Sequence, residues 1–275
     1  MSSLKYQLYD VFTRMPFSGN PLAVFLDAHG LSSELKARIA NELNLSETVF
    51  LERLDGGSSW RLRIYTPQAE LPFAGHPTIG AAIALRDAGL ATNKVDFELE
   101  LGAVHVTVDE RRASLAAPIQ ASKVGTTKST VDCAELLGIE QSEVIGVTGA
   151  SAGVPFAFVE LGSRMALRKC SLSLGHWRDE WADSSTPHVY SFYRRSASQI
   201  DARMFAPAMG IQEDPATGGA AAAMAALLPD GFYDISQGED MGRQSHMALR
   251  VTGDRATISG EAVRIGSGEF IDLLV

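Results

Sequence analysis

Residues 67–90 read PQAELPFAGHPTIGAAIALRDAGL, and their reading decides the fold. Pro77 suits the first turn of a helix and Gly89 suits its end. Between them Ile79, Ala81, Ala82, Ile83, Ala84 and Leu85 leave the helix without a polar face, so it has to be covered on every side. The segments around it are strand-like. YQLYDVFT (6–13), LAVFL (22–26), SETVFL (46–51) and WRLRIY (60–65) precede it, with the turn Asp55-Gly56-Gly57 between the last two. Alternating segments at 96–101 and 104–108 follow it as a hairpin around Gly102. A short helix with Leu35, Ile39, Ala40 and Leu43 on one face can be capped by Ser32 or Ser33 and stops near Asn44. For a helix with no polar side, a curled sheet is the economical cover.

The second half repeats the theme. A helix over 132–137 and strands over 154–161 and 189–193 lead to EDPATGG (213–219), which opens a second apolar helix, Ala220 to Leu228. Strands are expected again at 247–252, 256–259 and 270–275. Residues 117–130 lack aromatics and are rich in small polar groups, so the domain boundary falls there. The pattern predicts an α+β protein of two similar domains, 1–118 and 119–261, each a β-barrel-like curled sheet around a central apolar helix. A C-terminal strand over about 262–275 is assigned to the first. The two halves do not align at a constant offset.

Composition narrows the function. Lys and Arg total 24 against 33 Asp and Glu, a net charge of -9, and no basic run occurs. Nucleic acid and anionic membranes are therefore poor partners. Hydrophobic residues at 45% are ample for packed cores, yet the longest apolar run, Ala220 to Leu228, is far below the roughly 20 residues of a membrane helix. The N-terminus has no signal-peptide pattern, so the Asn44-Leu45-Ser46 sequon carries no weight and a cytoplasmic protein is expected. Cys133 and Cys170 have no CxxC partner, and His29, His105, His176, His188 and His246 form no metal-ligand pair. There is no GxGxxG after a strand, no phosphate-binding GxxxxGK[ST] and no GxSxG elbow.

Each apolar helix starts in a Gly-rich polar turn, Phe73-Ala74-Gly75-His76-Pro77-Thr78 and Glu213 to Gly219. Helix N-termini present unpaired N–H groups that suit a carboxylate or phosphate. His76 is a ligand-binding or catalytic group on this reading, or a capping or core histidine on the plainer one. Asp214, before Pro215, is likewise either functional or a turn former. Glu47 lies between Leu45 and Val49. Facing inward it would be a general acid/base; facing outward, a solvated strand-start glutamate. Arg243 is either an anion contact or a structural arginine.

Taken together, DVFTRMPFSGNPLAVF, ELNLSETVFL, RIYTPQAELPFAGHPTIGAA, GIQEDPATGGAAAA and QGEDMGRQS resemble the PhzF-like family, named for the phenazine-biosynthesis isomerase, from about residue 6 to the C-terminus. The resemblance implies the diaminopimelate-epimerase-like fold with the active site between two barrel domains. It further implies a homodimeric isomerase that needs no cofactor or metal and moves a proton on a small carboxylic acid. An epimerase or racemase, or a non-catalytic acid-binding protein, is the alternative. The resemblance places the family's catalytic groups on Glu47, His76 and Asp214, with Gly75 beside the histidine, and the backbone N–H groups at the two helix starts put substrate binding on Gly75, Gly218 and Gly219. Related epimerases carry a cysteine at each helix start, and neither Cys133 nor Cys170 is so placed. The phenazine enzyme has Ser where this chain has Gly219.

Overall fold

The computed structural model describes residues 3–54 and 59–271, so the turn expected at 55–57 lies outside the described residues. Two compact units emerge, residues 1–116 with 259–275 (domain 1) and 117–258 (domain 2).

Domain 1 carries eight short strands: β1 (Leu4–Val11), β2 (Asn20–Phe25), β3 (Glu47–Arg53), β4 (Ser59–Tyr65), β5 (Glu70–Leu71), β6 (Lys94–Leu99), β7 (Gly102–Asp109) and β8 (Arg112–Ala116). Together with the C-terminal strand Arg255–Phe270, the pairings close a ring. That strand pairs with β1, followed in order by β2, β3, β4, β6, β7 and β8, which returns to it. This is an eight-stranded barrel, with β5 added on β4. Closure removes the unpaired edges that an open sheet would expose. The C-terminal strand corrects the sequence reading of a separate strand at 256–259, while most of the strand expected at 270–275 lies outside the described residues. The observed element is one 16-residue strand ending at Phe270, and residues 272–275 are not described. Its Gly260, Gly266 and Gly268 weaken the strand pattern, but Gly268 has a packing reason: a Cβ there would run into the Tyr6 ring.

The helix read from residues 67–90 is α2 (Gly75–Asp87), with every residue from Gly75 to Leu85 buried. It fills the barrel. Gly80 lets it approach the wall, because a Cβ at that position would overlap Leu22 and stand 2.8 Å from Val11 Cγ2. Gly80→Ala is therefore expected to destabilise the protein by about 1–3 kcal/mol through overpacking. That net cost already includes the up to about 1 kcal/mol that alanine gains in helix propensity. Urea unfolding checks it. The far end of α2 is tied to the wall by the Tyr9 hydroxyl, which donates to Asp87 Oδ2 at 3.0 Å. Outside the barrel, α1 (Ser33–Leu43) starts at Ser32, whose Oγ accepts from the Leu35 N–H, and ends at Asn44 in the left-handed region. Its Ile39 and Ala40 cover Ala23, Phe25, Phe50 and Tyr65. Strand side chains alternate between faces, so Leu22 and Val49 point at α2 while Ala23 and Phe50 point at α1.

Domain 2 contains β9 (Ser122–Val124), α3 (Thr130–Leu137), β10 (Val144–Ser151), β11 (Pro155–Leu161), α4 (Arg164–Lys169), α5 (Leu174–Glu180), β12 (His188–Arg194), β13 (Gln199–Ala206), β14 (Ile211–Asp214), α6 (Gly218–Ala223), β15 (Gly231–Gln237) and β16 (Ser245–Thr252). The C-terminal strand is β17 in this numbering. Strands β9, β10, β11, β12, β13, β15 and β16 pair in that order, with β14 added on β13. The second apolar helix is shorter than the sequence predicts. It spans Gly218–Ala223 and then tightens into a 3₁₀ turn over Met224–Ala226. Pro229 disfavours α conformation at Leu228, so the helix cannot run on past that residue.

The two domains share one plan. The pairings β1/β2 antiparallel, β2/β3 parallel, β3/β4 antiparallel, β4/β5 antiparallel, β4/β6 parallel and β6/β7 antiparallel recur as β10/β11, β11/β12, β12/β13, β13/β14, β13/β15 and β15/β16 with the same sense. In both, an outer helical crossover joins the first parallel pair, and the inner helix follows the short added strand.

Candidate active site

Asn20 and Glu47 open the adjacent parallel strands β2 and β3, and His76 is the second residue of α2. Alternation puts Asn20 on the face of Leu22, and Glu47 on the face of Val49, both toward the helix. The three meet at one end of the barrel. His76 Nε2 lies 3.4 Å from Glu47 Oε2, and His76 Nδ1 lies 3.4 Å from Asn20 Nδ2. The Pro21 carbonyl also accepts from the ring. Burial pushes the His76 pKa down to about 3, against the Pro21 bond, which favours the protonated ring. The imidazole is neutral near pH 7. It offers one N–H and one bare nitrogen: with the N–H on Pro21, the bare nitrogen facing Glu47 can accept from the protonated carboxyl, and the other tautomer can donate to the carboxylate. Glu47 is 9% exposed, which selects the inward of the two sequence readings.

Asp214 and the Gly218-Gly219 pair belong to domain 2. Asp214 is buried and accepts from the Thr217 hydroxyl at 2.5 Å. Gln237 locks this turn from β15. Its amide nitrogen donates to the Asp214 carbonyl at 2.8 Å and to Thr217 Oγ1 at 3.0 Å, and its Oε1 accepts from the Thr217 N–H at 3.3 Å. Gly238 follows with φ +77, where a Cβ would sit 2.7 Å from the Pro215 carbonyl oxygen, so a glycine is required. Arg203 holds the turn from behind. Its Nε and Nη2 donate to the Glu213 carboxylate at 2.7 and 2.8 Å, and its Nη1 donates to the carbonyls of Leu167, Arg168 and Cys170. Arg243 is half-buried on the turn after Gly238, and its carbonyl accepts from Ser245.

Asn20, Thr217, Gln237 and Arg203 are absent from the sequence reading. Asn20 sits between Gly19 and Pro21, where a turn former is the ordinary interpretation. Thr217 bonds Asp214 within the same turn, whereas Gln237 and Arg203 act through partners brought near by folding. Both cysteines are buried free thiols whose pKa burial pushes up to about 12, so they remain protonated. Among the described residues, no group of three or more His, Cys, Asp or Glu side chains is placed to hold a metal ion.

The family model for phenazine biosynthesis-like protein (PhzC-PhzF) matches residues 9–268. The chain belongs to this family. A Mesorhizobium japonicum protein described as an uncharacterized isomerase is 36% identical, over 98% of this chain and 99% of its own length. The trans-2,3-dihydro-3-hydroxyanthranilate isomerase of Pseudomonas chlororaphis is 32% identical over 97% and 99%. A crystal structure of a Bacillus anthracis PhzF-family protein superposes with a TM-score of 0.87 over 98% of this chain and 100% of that one, at 23% identity. A hydroxyproline epimerase from Agrobacterium vitis shares the fold, with a TM-score of 0.65 at 14% identity over 100% and 94%. This chain is thus a PhzF-like isomerase. In this PhzF-like isomerase no helix among the described residues is long and apolar enough to cross a membrane.

Proposed function

We propose that this isomerase moves a proton between carbons of a small carboxylic acid, cyclic or amino-substituted, using Glu47 as general acid/base without a cofactor. The observation that carries the reading is the buried Glu47 carboxyl 3.4 Å from the His76 imidazole, which is neutral near pH 7. Glu47 as carboxylate takes a proton from carbon, leaving the electron pair delocalised into the substrate's adjacent unsaturation. As the acid, it returns the proton at another carbon, with no net redox change. The first amides of α2, at Gly75 and His76, receive developing negative charge at the start of a 13-residue helix. Gly218 and Gly219 head a helix of only six residues, so their contribution is local N–H donation. His76 and Asp214 orient the substrate. That the groups of both domains act on the same substrate molecule comes from the family resemblance.

Incubation of candidate cyclic acids with the enzyme in D₂O tests this reading. Carbon-bound deuterium is expected, together with a shifted double bond. Deuterium with stereochemical inversion and no such shift would point to an epimerase, and binding without exchange would point to a non-catalytic acid-binding protein. Gly219 supplies a second test. A Cβ there meets nothing closer than Phe156 Cζ at 4.0 Å, so Gly219→Ser fits without strain and adds a hydroxyl donor. We expect unchanged folding and a several-fold higher kcat/KM on trans-2,3-dihydro-3-hydroxyanthranilate, about the value of one hydrogen bond. A homodimer in a reducing cytoplasm completes the proposal, and the two free buried thiols fit that compartment.

A further inference from the structure

The shared plan of the two domains gives every site residue of domain 1 a counterpart in domain 2. Parallel pairing sets Leu22 opposite Glu47 in domain 1 and Phe156 opposite His188 in domain 2. One step along, the antiparallel pairs Thr48–Tyr65 and Val189–Phe205 keep the same register. His188 therefore occupies the position of Glu47, the first residue of the second parallel strand. Counting from the helix start, Gly219 occupies the position of His76. In domain 1 the histidine ring lies beside the glutamate. In domain 2 the corresponding helix position has no side chain.

His188 has the marks of a group held for a ligand. It is 5% exposed, its Nδ1 is buried with no hydrogen-bond partner among the described residues, and burial pushes its pKa down to about 4. Buried polar atoms are ordinarily paired. Its ring lies 5.8 Å from that of Phe156, the same ring that lies nearest the open space over Gly219. Val189 and Phe205 face the outer layer with Trp181 and Leu167, so alternation turns His188 and Phe156 inward, toward α6.

We propose that His188 is the domain 2 counterpart of Glu47 and a substrate-binding residue, whose neutral imidazole hydrogen-bonds a hydroxyl on the ring of a cyclic acid lying against Phe156. A neutral imidazole cannot pair with a carboxylate as a cation would. A hydroxyl both donates and accepts, so it complements either tautomer. Phe156 supplies the flat apolar surface that a ring needs. This deepens the cyclic-acid reading above and rests on it.

The test compares 3-hydroxybenzoate with benzoate by calorimetry, on the wild type, His188→Phe and His188→Gln, while the His188 ring nitrogens are followed by ¹⁵N NMR. Wild-type protein is expected to prefer the hydroxy acid about tenfold, the worth of one hydrogen bond, and its addition should shift the His188 nitrogens. His188→Phe should lose the preference while still binding benzoate, and His188→Gln should retain part of it. Equal wild-type affinity for the two acids, or unmoved His188 nitrogens with the hydroxy acid bound, overturns the assignment and leaves the cyclic-acid reading standing. If neither acid binds the wild type, the cyclic-acid reading falls and the His188 assignment falls with it.

Discussion

Glu47→Gln is expected to lower the isomerisation rate by about 10²–10⁴, the usual worth of a general acid/base, and to abolish deuterium incorporation from D₂O to the same degree. The substitution conserves shape. An amide can donate to or accept from the neutral His76 ring 3.4 Å away, so the site should keep its geometry and the thermal midpoint should stay within a few degrees of wild type. What disappears is the proton-accepting carboxylate. Substrate affinity should change much less than turnover, because the loss concerns the transition state rather than the ground state. Wild-type exchange by the glutamine variant would remove Glu47 from the role and require another base.

Arg203→Met is expected to destabilise the protein strongly. Arg203 is 8% exposed, and its guanidinium joins the Glu213 carboxylate to three carbonyls at the end of α4. Removing it leaves a largely buried carboxylate unpaired and withdraws a donor from three carbonyls, of which that of Leu167 keeps the Cys170 N–H. Breaking a buried pair from one side costs about 3–5 kcal/mol. Glu213 keeps some contact with water, its side chain being 16% exposed, so the lower figure of about 3 kcal/mol is expected. Glu213 directly precedes Asp214, so loss of the clamp also frees the turn that aims Asp214, Thr217 and Gly218. Urea denaturation measures the first effect. A rise in KM larger than the fall in kcat at a temperature where the variant is folded would report the second. Arg203→Met with wild-type stability would show that α4 and the Glu213 turn hold themselves in place.

The barrel-filling helix was legible because its composition leaves no alternative. A run of Ile, Ala and Leu without a polar side has to be enclosed, and the strand-like segments around it are the available cover. The second helix was overread for the same reason. Leu227 and Leu228 continue the apolar composition, which does not register that the backbone tightens into a 3₁₀ turn at Met224. That the two halves share a theme was legible in the apolar helix of each, but which residue matches which was not, because equivalent positions drift apart along the chain. Glu47 follows Leu22 after a single crossover helix, whereas His188 follows Phe156 after two helices and their connections. Hydrogen-bonding sense, not residue spacing, carries the duplication.

Glu47, His76 and Asp214 stand out in the sequence through local motifs, and so do the glycines beside them. By itself the sequence determined the mixed α+β class, the wholly enclosed helix and the chemical types available to the site, since these follow from local composition and short-range periodicity. Tertiary structure alone decided that Glu47 faces inward against a neutral imidazole, that Asn20 and Gln237 reach their partners, and that His188 stands where a glutamate stands in the other domain. Those facts depend on strand register and on pairings between residues far apart in the chain, and no window of sequence contains both sides of such a contact.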